Sequence, residues 1–274
     1  MTRYAMVIDV TRCDGCYNCF IACKDEHAEI AHPGYTVAQP MTGQHWMKII
    51  GVERGRYPRV KQDYIPQPCM QCEVPQCANE SGEAIKQRED GIVMIDTEKA
   101  VGDRELASRC PYRRIYWNDQ EQVGQKCTFC AHLLDAGWKE PRCVEACPTG
   151  TLIFGDLDDP DSPVSKVWDQ AEPMHPEYAM GDRVRYIGLP MNFIAGAVVF
   201  GDIDECAKGV TVTLEGNGQT VTMVTDAFGD FEFEGLPATT DYTVTVAAPG
   251  YASQQHAVRT HASVYLGDII LAKA

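Results

Sequence analysis

The sequence predicts an α+β protein in two parts: a cysteine-rich part over residues 1–190 and an all-β part over residues 191–274. Two observations predict this division. Twelve of the thirteen cysteines stand in closely spaced groups before residue 150. This indicates metal ligands rather than a secreted disulfide scaffold, because such scaffolds are usually much shorter chains. From about residue 191, apolar and polar residues alternate, and a period of two indicates β-strands.

The composition limits the class of protein. A chain of 274 residues with 45% hydrophobic residues has room for one large domain or two ordinary ones. The formal net charge of −15 argues against a nucleic-acid-binding protein, which would need a basic surface. We see no signal-peptide pattern and no run that approaches the roughly eighteen apolar residues of a membrane span, so we expect a soluble, cytoplasmic protein. Export in complex with a partner that carries the signal is the alternative.

The first cysteine run predicts an iron–sulfur site. It reads C-x2-C-x2-C-x3-C over Cys13–Cys23, and a short strand is expected before it over residues 4–10. Four thiolates this close together do not suit one tetrahedral zinc ion. They suit a ferredoxin-like fold, in which a [4Fe–4S] cluster takes the first three cysteines and the fourth turns to a second cluster.

Further cysteines supply the remaining ligands. A second run, C-x2-C-x4-C, begins at Cys69; a third, C-x2-C-x12-C-x3-C-P, begins at Cys127; and Cys110 stands alone before a proline. In two-cluster ferredoxins the fourth cysteine of each run binds the cluster of the other run. The predicted ligands are therefore Cys13, Cys16, Cys19 and Cys147 for cluster one, Cys127, Cys130, Cys143 and Cys23 for cluster two, and Cys69, Cys72, Cys77 and Cys110 for cluster three. Cys206 is left over, and three zinc sites would use the same twelve cysteines.

The segments between the cysteines predict short elements. We expect a helical turn over residues 24–31, an insertion over about 32–68 that contains a strand near 46–50, and a turn and strand over 90–96. Residues 155–190 begin with an acidic, proline-rich stretch, which predicts a surface linker between the two parts.

The second part predicts an antiparallel β-sandwich or barrel. Its short β-type stretches are separated by turns that contain glycine or asparagine. The predicted strands are 197–200, 210–214, 220–224, 231–233, 242–246 and 268–271. This part contains a single cysteine, Cys206, which we expect to be a small, inert residue near a turn.

Residues beside the cysteines have two interpretations. Five basic residues lie next to predicted ligands: Arg12, Lys24, Arg109, Lys126 and Arg142. One interpretation is that they raise cluster potentials or dock a partner, and the other is that they are ordinary surface charges. Tyr17 and Phe129, inside the cysteine loops, either shield clusters from water or pack in the core. Because the cysteines already complete the ligand sets, the histidines are expected to be structural; they are His27, His32, His45 and His132.

The cysteine pattern and its surroundings resemble the iron–sulfur subunits of the molybdenum bis-pterin oxidoreductases of the dimethyl sulfoxide reductase type. The matching stretches are residues 68–73, 90–93, 110–112 and 154–160. The tail, at residues 225–231 and 248–251, resembles a carboxypeptidase-regulatory or transthyretin-like sandwich.

One departure from that pattern is informative. Members with four clusters have a further run that ends at the position of Cys110, and here its first three positions are taken by Ala100, Asp103 and Leu106. The usual fourth cysteine of the second run is Ser81 here. Since those four positions would together hold one cluster, the pattern predicts that one whole cluster is missing and that three remain.

The combination of three clusters, no membrane anchor and an appended sandwich resembles that of the small subunits of the pyrogallol–phloroglucinol transhydroxylase family. The resemblance implies an electron-transfer or electron-storage subunit without catalytic residues. Its partner, in a heterodimer or larger complex, is a large subunit that holds the molybdenum bis-pterin cofactor. No nucleic-acid or membrane partner is implied. The alternatives are an electron-relay subunit of a conventional molybdenum reductase or dehydrogenase, and a structural zinc scaffold.

Overall fold

The chain divides into two compact units. A computed structural model describes residues 2–79 and 81–274. The first unit comprises the chain up to Gly51 together with Asp63–Leu189, and the second comprises Val52–Gln62 together with Pro190–Ala274. Residues 52–62, which the sequence assigns to an insertion in the first part, therefore belong to the second unit.

The elements before residue 190 are short. The strands are β1 Tyr4–Asp9, β2 Lys48–Arg56, β3 Arg59–Gln67, β4 Ile85–Gln87, β5 Val93–Ile95, β6 Tyr116–Asn118, β7 Val123–Gln125, β8 Leu152–Asp156 and β9 Val184–Ile187. The helices are α1 Asn18–His27, α2 Ala131–Asp135 and α3 Arg142–Glu145, and single 3-10 turns occur at Val10–Arg12, Gln76–Ala78, Arg104–Ala107, Trp168–Gln170 and Pro176–Tyr178. In the described parts of the chain, no helix has the length and apolar composition needed to cross a membrane.

A three-stranded sheet with the order β8-β1-β9 forms the core of the first unit. The central strand β1 pairs antiparallel with β8 and parallel with β9, so that Met6 lies between Phe154 and Val184. Four consecutive residues of β1, Ala5 to Ile8, are completely buried because elements cover both faces of this strand. Strand β9 comes from the segment predicted as a surface linker, which therefore contributes a core strand.

The first cysteine run leads directly into a helix. Helix α1 starts at Asn18, inside the run, rather than over residues 24–31 as expected. It places Cys19 and Cys23 four residues apart, which is about one helical turn. The short helix α3 contains Cys143, and Cys147 follows four residues later. Helices α1 and α3 pack together, so the two cysteine pairs meet.

The second unit is a two-sheet sandwich. Its strands are β10 Asn192–Phe200, β11 Glu205–Cys206, β12 Thr211–Gly216, β13 Gln219–Val224, β14 Asp230–Leu236, β15 Asp241–Ala247, β16 Gln254–Arg259 and β17 Val264–Leu271. One sheet contains β11, β10, β14 and β17, and the other has the order β13-β12-β15-β16. Within the described residues these sheets do not close into a barrel, so the sandwich alternative is the one observed.

Alternating side chains build the core of this sandwich. On β12, Val212 and Leu214 face inward, and on β15 the same alternation buries Val244 and Val246. This is the period-two pattern that the sequence shows. Phe231, on β14, closes the core from the other sheet.

One pairing in the sandwich corrects the expectation of a wholly antiparallel fold. Strands β10 and β17 run parallel, with Ile194 opposite Val264 and Val198 opposite Ile269. Strands β10 and β17, the first and last strands after residue 190, thus lie side by side. Between them the chain forms strands in both sheets. Local alternation indicates which residues face inward, but it carries no information about which distant strand becomes the neighbour or in which direction it runs.

The tip of the β2–β3 hairpin is bound to the sandwich strands within the second unit. Arg59 forms an ion pair with Asp230, and Lys61 pairs with two glutamates of β14, Glu232 and Glu234. The Lys61 ammonium also lies 5.3 Å from the centre of the buried Phe193 ring. These contacts explain why residues 52–62 group with the sandwich.

Candidate metal centre

All thirteen cysteines lie among the described residues, and all are free thiols. Twelve of them lie in the first unit, and the three predicted ligand sets, with four thiols each, are called groups below. The first group is Cys13, Cys16, Cys19 and Cys147; the second is Cys23, Cys127, Cys130 and Cys143; the third is Cys69, Cys72, Cys77 and Cys110. Cys206 lies apart from these groups, exposed on β11 of the sandwich.

The third group lines a single cavity. The walls are mainly apolar and include Met70, Val93 and Ile115 beside the four thiols. Burial raises the pKa of Cys77 to about 12, and the neighbouring Cys69 charge adds to this effect. The same two causes raise the pKa of Cys72 and of Cys110.

The first group combines residues that are more than a hundred positions apart. Burial raises the pKa of Cys19 to about 12, and the charges of Cys147, Cys13 and Cys16 raise it further. The pKa of Cys147 is lowered, because bonds from the Thr149 hydroxyl and from three backbone N–H groups outweigh its burial. This group is the most accessible of the three, since Cys16 is exposed and Cys13 and Cys147 are half-buried.

Three of the four thiols in the second group are buried, and Cys127 is half-buried. Burial raises the pKa of Cys23 and of Cys143 well above the usual range, and the charges of Cys130 and Cys127 act on both. The pKa of Cys130 rises to about 12, again through burial and then the Cys127 charge. Cys23 of the first run thus joins the third run, while Cys147 of the third run joins the first.

Electrostatic interactions link the groups. The charge of Cys69, in the third group, contributes to raising the pKa of Cys127 in the second, after burial. The charge of Cys19, in the first group, likewise contributes to raising the pKa of Cys143 in the second. The second group therefore interacts with each of the other two.

The loops that carry the cysteines turn sharply and direct N–H groups at sulfur. The N–H of Phe129 donates to the Cys127 sulfur over 3.5 Å, and that of Arg114 donates to Cys110 over 3.4 Å. Gly15 has a φ of +72°, and a Cβ there would lie 2.6 Å from the Tyr64 ring. Only glycine fits this turn without strain.

These groups have the donor chemistry of [4Fe–4S] sites. Each consists of four thiols that remain unbridged although they are close together, and the described contacts include N–H bonds to sulfur that would stabilise thiolates. Four thiolates also suit zinc, so the donor set by itself leaves both metals open.

The four positions that lack cysteine are used for packing and hydrogen bonds. Ala100 and Leu106 are completely buried. Asp103 forms an ion pair with Arg109 at 2.7 Å, and the Ser81 hydroxyl donates to the Ala78 carbonyl over 2.8 Å.

The basic residues beside the ligands differ in environment. Arg12 is exposed, Arg109 pairs with Asp103, and Arg142 pairs with Glu145, as ordinary surface charges do. Lys126 does not fit that interpretation, because it is only 2% exposed.

The aromatic residues inside the loops also differ. Phe129 is buried and packs edge-on against Phe154, with ring centres 5.3 Å apart, so it is a core residue. Tyr17 is 43% exposed and touches Phe20, so it covers little of the first group.

The histidines form a polar cluster near the second group. His132 and Glu26 are 2.9 Å apart, and the His32 ring stacks on His132 with centres 3.7 Å apart. Burial, followed by the charges of His132 and His32, lowers the pKa of His27 to about 3. Glu26, His32 and His132 offer three potential ligand atoms within 4.8 Å, but Arg142 already pairs with Glu26. His45 stacks on Phe20. A structural role for these histidines stays a prediction.

Two polar residues near the cysteines were not expected from the sequence. Asp182 is buried, accepts a hydrogen bond from the Tyr112 hydroxyl, and lies 3.6 Å from the Cys72 sulfur. Thr149 lies 3.6 Å from the Cys147 sulfur. Thr149 follows the Cys-Pro pair directly, so its proximity could have been inferred, whereas Asp182 is distant in sequence from every cysteine.

Comparison with known proteins identifies two domains. The family described as "4Fe-4S dicluster domain" matches residues 60–157, and "Carboxypeptidase regulatory-like domain" matches residues 194–269. The pyrogallol hydroxytransferase small subunit of Pelobacter acidigallici is 43% identical over 281 residues, which cover 99% of this chain and all of the relative. The chain belongs to this family of iron–sulfur subunits. The [4Fe–4S] interpretation of the cysteine groups is therefore the one that the family supports.

More distant relatives match a smaller share of the chain. A tetrathionate reductase subunit of Salmonella typhimurium is 34% identical over 197 residues, covering 70% of this chain and 75% of the relative. A sulfite dehydrogenase subunit of Allochromatium vinosum is 34% identical over 177 residues, covering 60% of this chain and 73% of the relative.

Proposed function

We propose that this chain is the electron-transfer subunit of a molybdenum enzyme and holds three [4Fe–4S] clusters. The first, second and third cysteine groups would bind clusters one, two and three. The observation that carries the proposal is the arrangement of twelve thiols in three groups of four, each group adjacent to the next. When bound, a [4Fe–4S] cluster exchanges one electron at a potential set by its net charge, its exposure and the hydrogen bonds to its sulfurs.

The residues of this chain then have separate tasks. The cysteines bind the iron, and the N–H groups of Phe129 and Arg114 stabilise the sulfur charge. Apolar walls exclude water from the third group, whereas exposed Cys16 makes the first group accessible at the protein surface. The electrostatic interactions of the second group with the other two support a relay in the order one, two, three.

Catalysis is assigned to a large partner subunit that carries the molybdenum bis-pterin cofactor. The 43% identity to a pyrogallol hydroxytransferase small subunit over nearly the whole chain supports the conversion of pyrogallol to its isomer phloroglucinol, by hydroxyl transfer between aromatic rings with a hydroxylated benzene as co-substrate. Such a transfer is redox-neutral overall, so the clusters would store electrons or set the oxidation state of the molybdenum. The 34% identity to a tetrathionate reductase subunit favours the second candidate, a conventional electron relay to an outside carrier.

An anaerobic assay separates these two functions. The native complex, purified through this subunit, is supplied with pyrogallol and a hydroxylated benzene co-substrate in the absence of any electron acceptor. Formation of phloroglucinol supports the transhydroxylase. Turnover or dye reduction that appears only after an acceptor is added identifies the conventional relay instead. Metal analysis tests the cofactor: about twelve iron atoms per chain agree with three clusters, and about three zinc ions contradict them.

A further inference from the structure

Lys126 is a buried cation without a carboxylate partner among the described residues. It precedes Cys127, is 2% exposed, and ranks among the largest fully buried side chains. Its ammonium donates to the carbonyl of Val93 and, over 3.1 Å, to that of Cys127. Carbonyl groups satisfy its hydrogen bonds but supply no net negative charge.

Burial of an uncompensated ammonium is costly, because the charge leaves water and gains no counter-ion in return. Lys126 lies beside thiols of two different groups. It forms part of the wall of the cavity that the third group lines. It also directly precedes Cys127 of the second group and donates a hydrogen bond to the carbonyl of that residue.

We propose that Lys126 is a fixed positive charge shared by clusters two and three, and that it raises the reduction potential of both. This inference rests on the proposed function, since it requires [4Fe–4S] clusters in these groups. Four thiolates give each cluster site a net negative charge, and reduction adds one electron without a bonded proton. A cation held between two such sites in a medium of low dielectric constant stabilises the reduced form of each.

The first group can serve as an internal reference for the effect of Lys126, because other charges dominate there. Lys126 is not among the charges that dominate at Cys13 and Cys19, where other cysteines act instead. The partly buried Lys24 acts on Cys23, and it too donates to carbonyl and amide oxygens, on Gln39, Pro40 and Gln44. Asp182 lies against Cys72 and opposes the effect of Lys126 at the third group. Removal of Lys126 should therefore affect two clusters and leave one unchanged.

The test compares three variants of the whole complex, purified anaerobically. Lys126→Gln keeps a hydrogen-bond donor and removes the charge, while Lys126→Arg keeps the charge. Lys86→Gln is the matched control, because Lys86 is an exposed lysine with a side chain 57% accessible. Iron content is measured first, and cluster potentials are then titrated with dithionite and followed by electron paramagnetic resonance.

We expect Lys126→Gln to make reduction of two clusters at least tenfold less favourable, which corresponds to about 59 mV for a one-electron couple. The remaining cluster should keep its potential, and the Arg variant and the control should keep all three. Loss of clusters two and three in Lys126→Gln but not in Lys126→Arg would also support the requirement for charge. A fully loaded Gln variant with unchanged potentials overturns the inference, as does equal cluster loss in the Gln and Arg variants. Wild-type protein without iron would instead refute the proposed function itself.

Discussion

Replacement of a single cysteine tests the ligand assignment most directly. Cys110 is the informative choice because it stands alone in the sequence, next to three positions where relatives with four clusters carry cysteine. It is 8% exposed and lines the same cavity as Cys69, Cys72 and Cys77. We expect Cys110→Ala to remove cluster three and to leave clusters one and two in place.

The expected loss of iron follows from the number of cysteine groups. Three groups of four thiols hold about twelve iron atoms, and loss of one group leaves about eight. No partial loss across the other groups is expected, since each of them keeps all four of its cysteines. The second group keeps all four of its cysteines, although Cys127 loses the neighbouring cluster charge that acts through Cys69.

Iron analysis and electron paramagnetic resonance on the anaerobically purified complex measure this loss. Cys206→Ala is the control, because Cys206 is an exposed thiol of the sandwich and belongs to none of the groups. It should retain about twelve iron atoms. Full iron content in Cys110→Ala, or a loss of the same size in Cys206→Ala, would refute the assignment.

Three further changes test the rest of the structure. Phe231→Ala should destabilise the sandwich by about 3–5 kcal/mol, since the ring is 3% exposed; hydrogen exchange across that unit in the whole chain measures this. Gly15→Ala should impair cluster one selectively, seen as a loss of about four iron atoms, because the added Cβ meets an aromatic ring at positive φ. The hydrogen bond from Lys61 lowers the pKa of Glu234. The stabilisation that the ionised Glu234 provides is therefore complete above the usual glutamate pKa, and it is lost as the pH falls through the lowered value. Lys61→Met should flatten this acid-side dependence in hydrogen exchange, whereas Lys208→Met at an exposed position should preserve it.

The [4Fe–4S] class of the metal centre could be predicted from spacing, and the assignment of individual cysteines to clusters stays a prediction. Cysteines three or four residues apart can approach one metal site only through a tight loop, and the exchange of Cys23 and Cys147 between runs follows a known ferredoxin rule. The sandwich strands with strict alternation, such as β12 and β15, could also be predicted from the sequence. In both cases, a local pattern in the sequence determines the local structure.

The elements that the sequence did not reveal depend on distant partners. Strand β16 buries one face only partly and carries polar Gln254 and His256 there, so it shows no apolar alternation. Strand β9 is buried, but only four residues long, and it follows an acidic, proline-rich stretch that suggests a linker. Strands β10 and β17 become parallel neighbours through a connection that no local pattern records.

The charge of Lys126 illustrates a second limit. A lysine beside a cysteine is usually a surface residue, since burial of an unpaired ammonium is unfavourable. Here the compensating charge is assigned to inorganic clusters, which the amino-acid sequence does not contain. Only the three-dimensional arrangement shows that the residue is enclosed between two groups of thiols.

The hairpin tip makes the sandwich difficult to detach. Because residues 52–62 belong to the second unit, the polypeptide passes between the units near residues 51, 62 and 189. A protease that cleaves near residue 189 would break only one of these three connections. The ion pairs of Arg59 with Asp230, and of Lys61 with Glu232, would still hold the fragment after the cut. A gene shortened at the same point would behave differently, since the basic hairpin would be synthesised without its acidic strand.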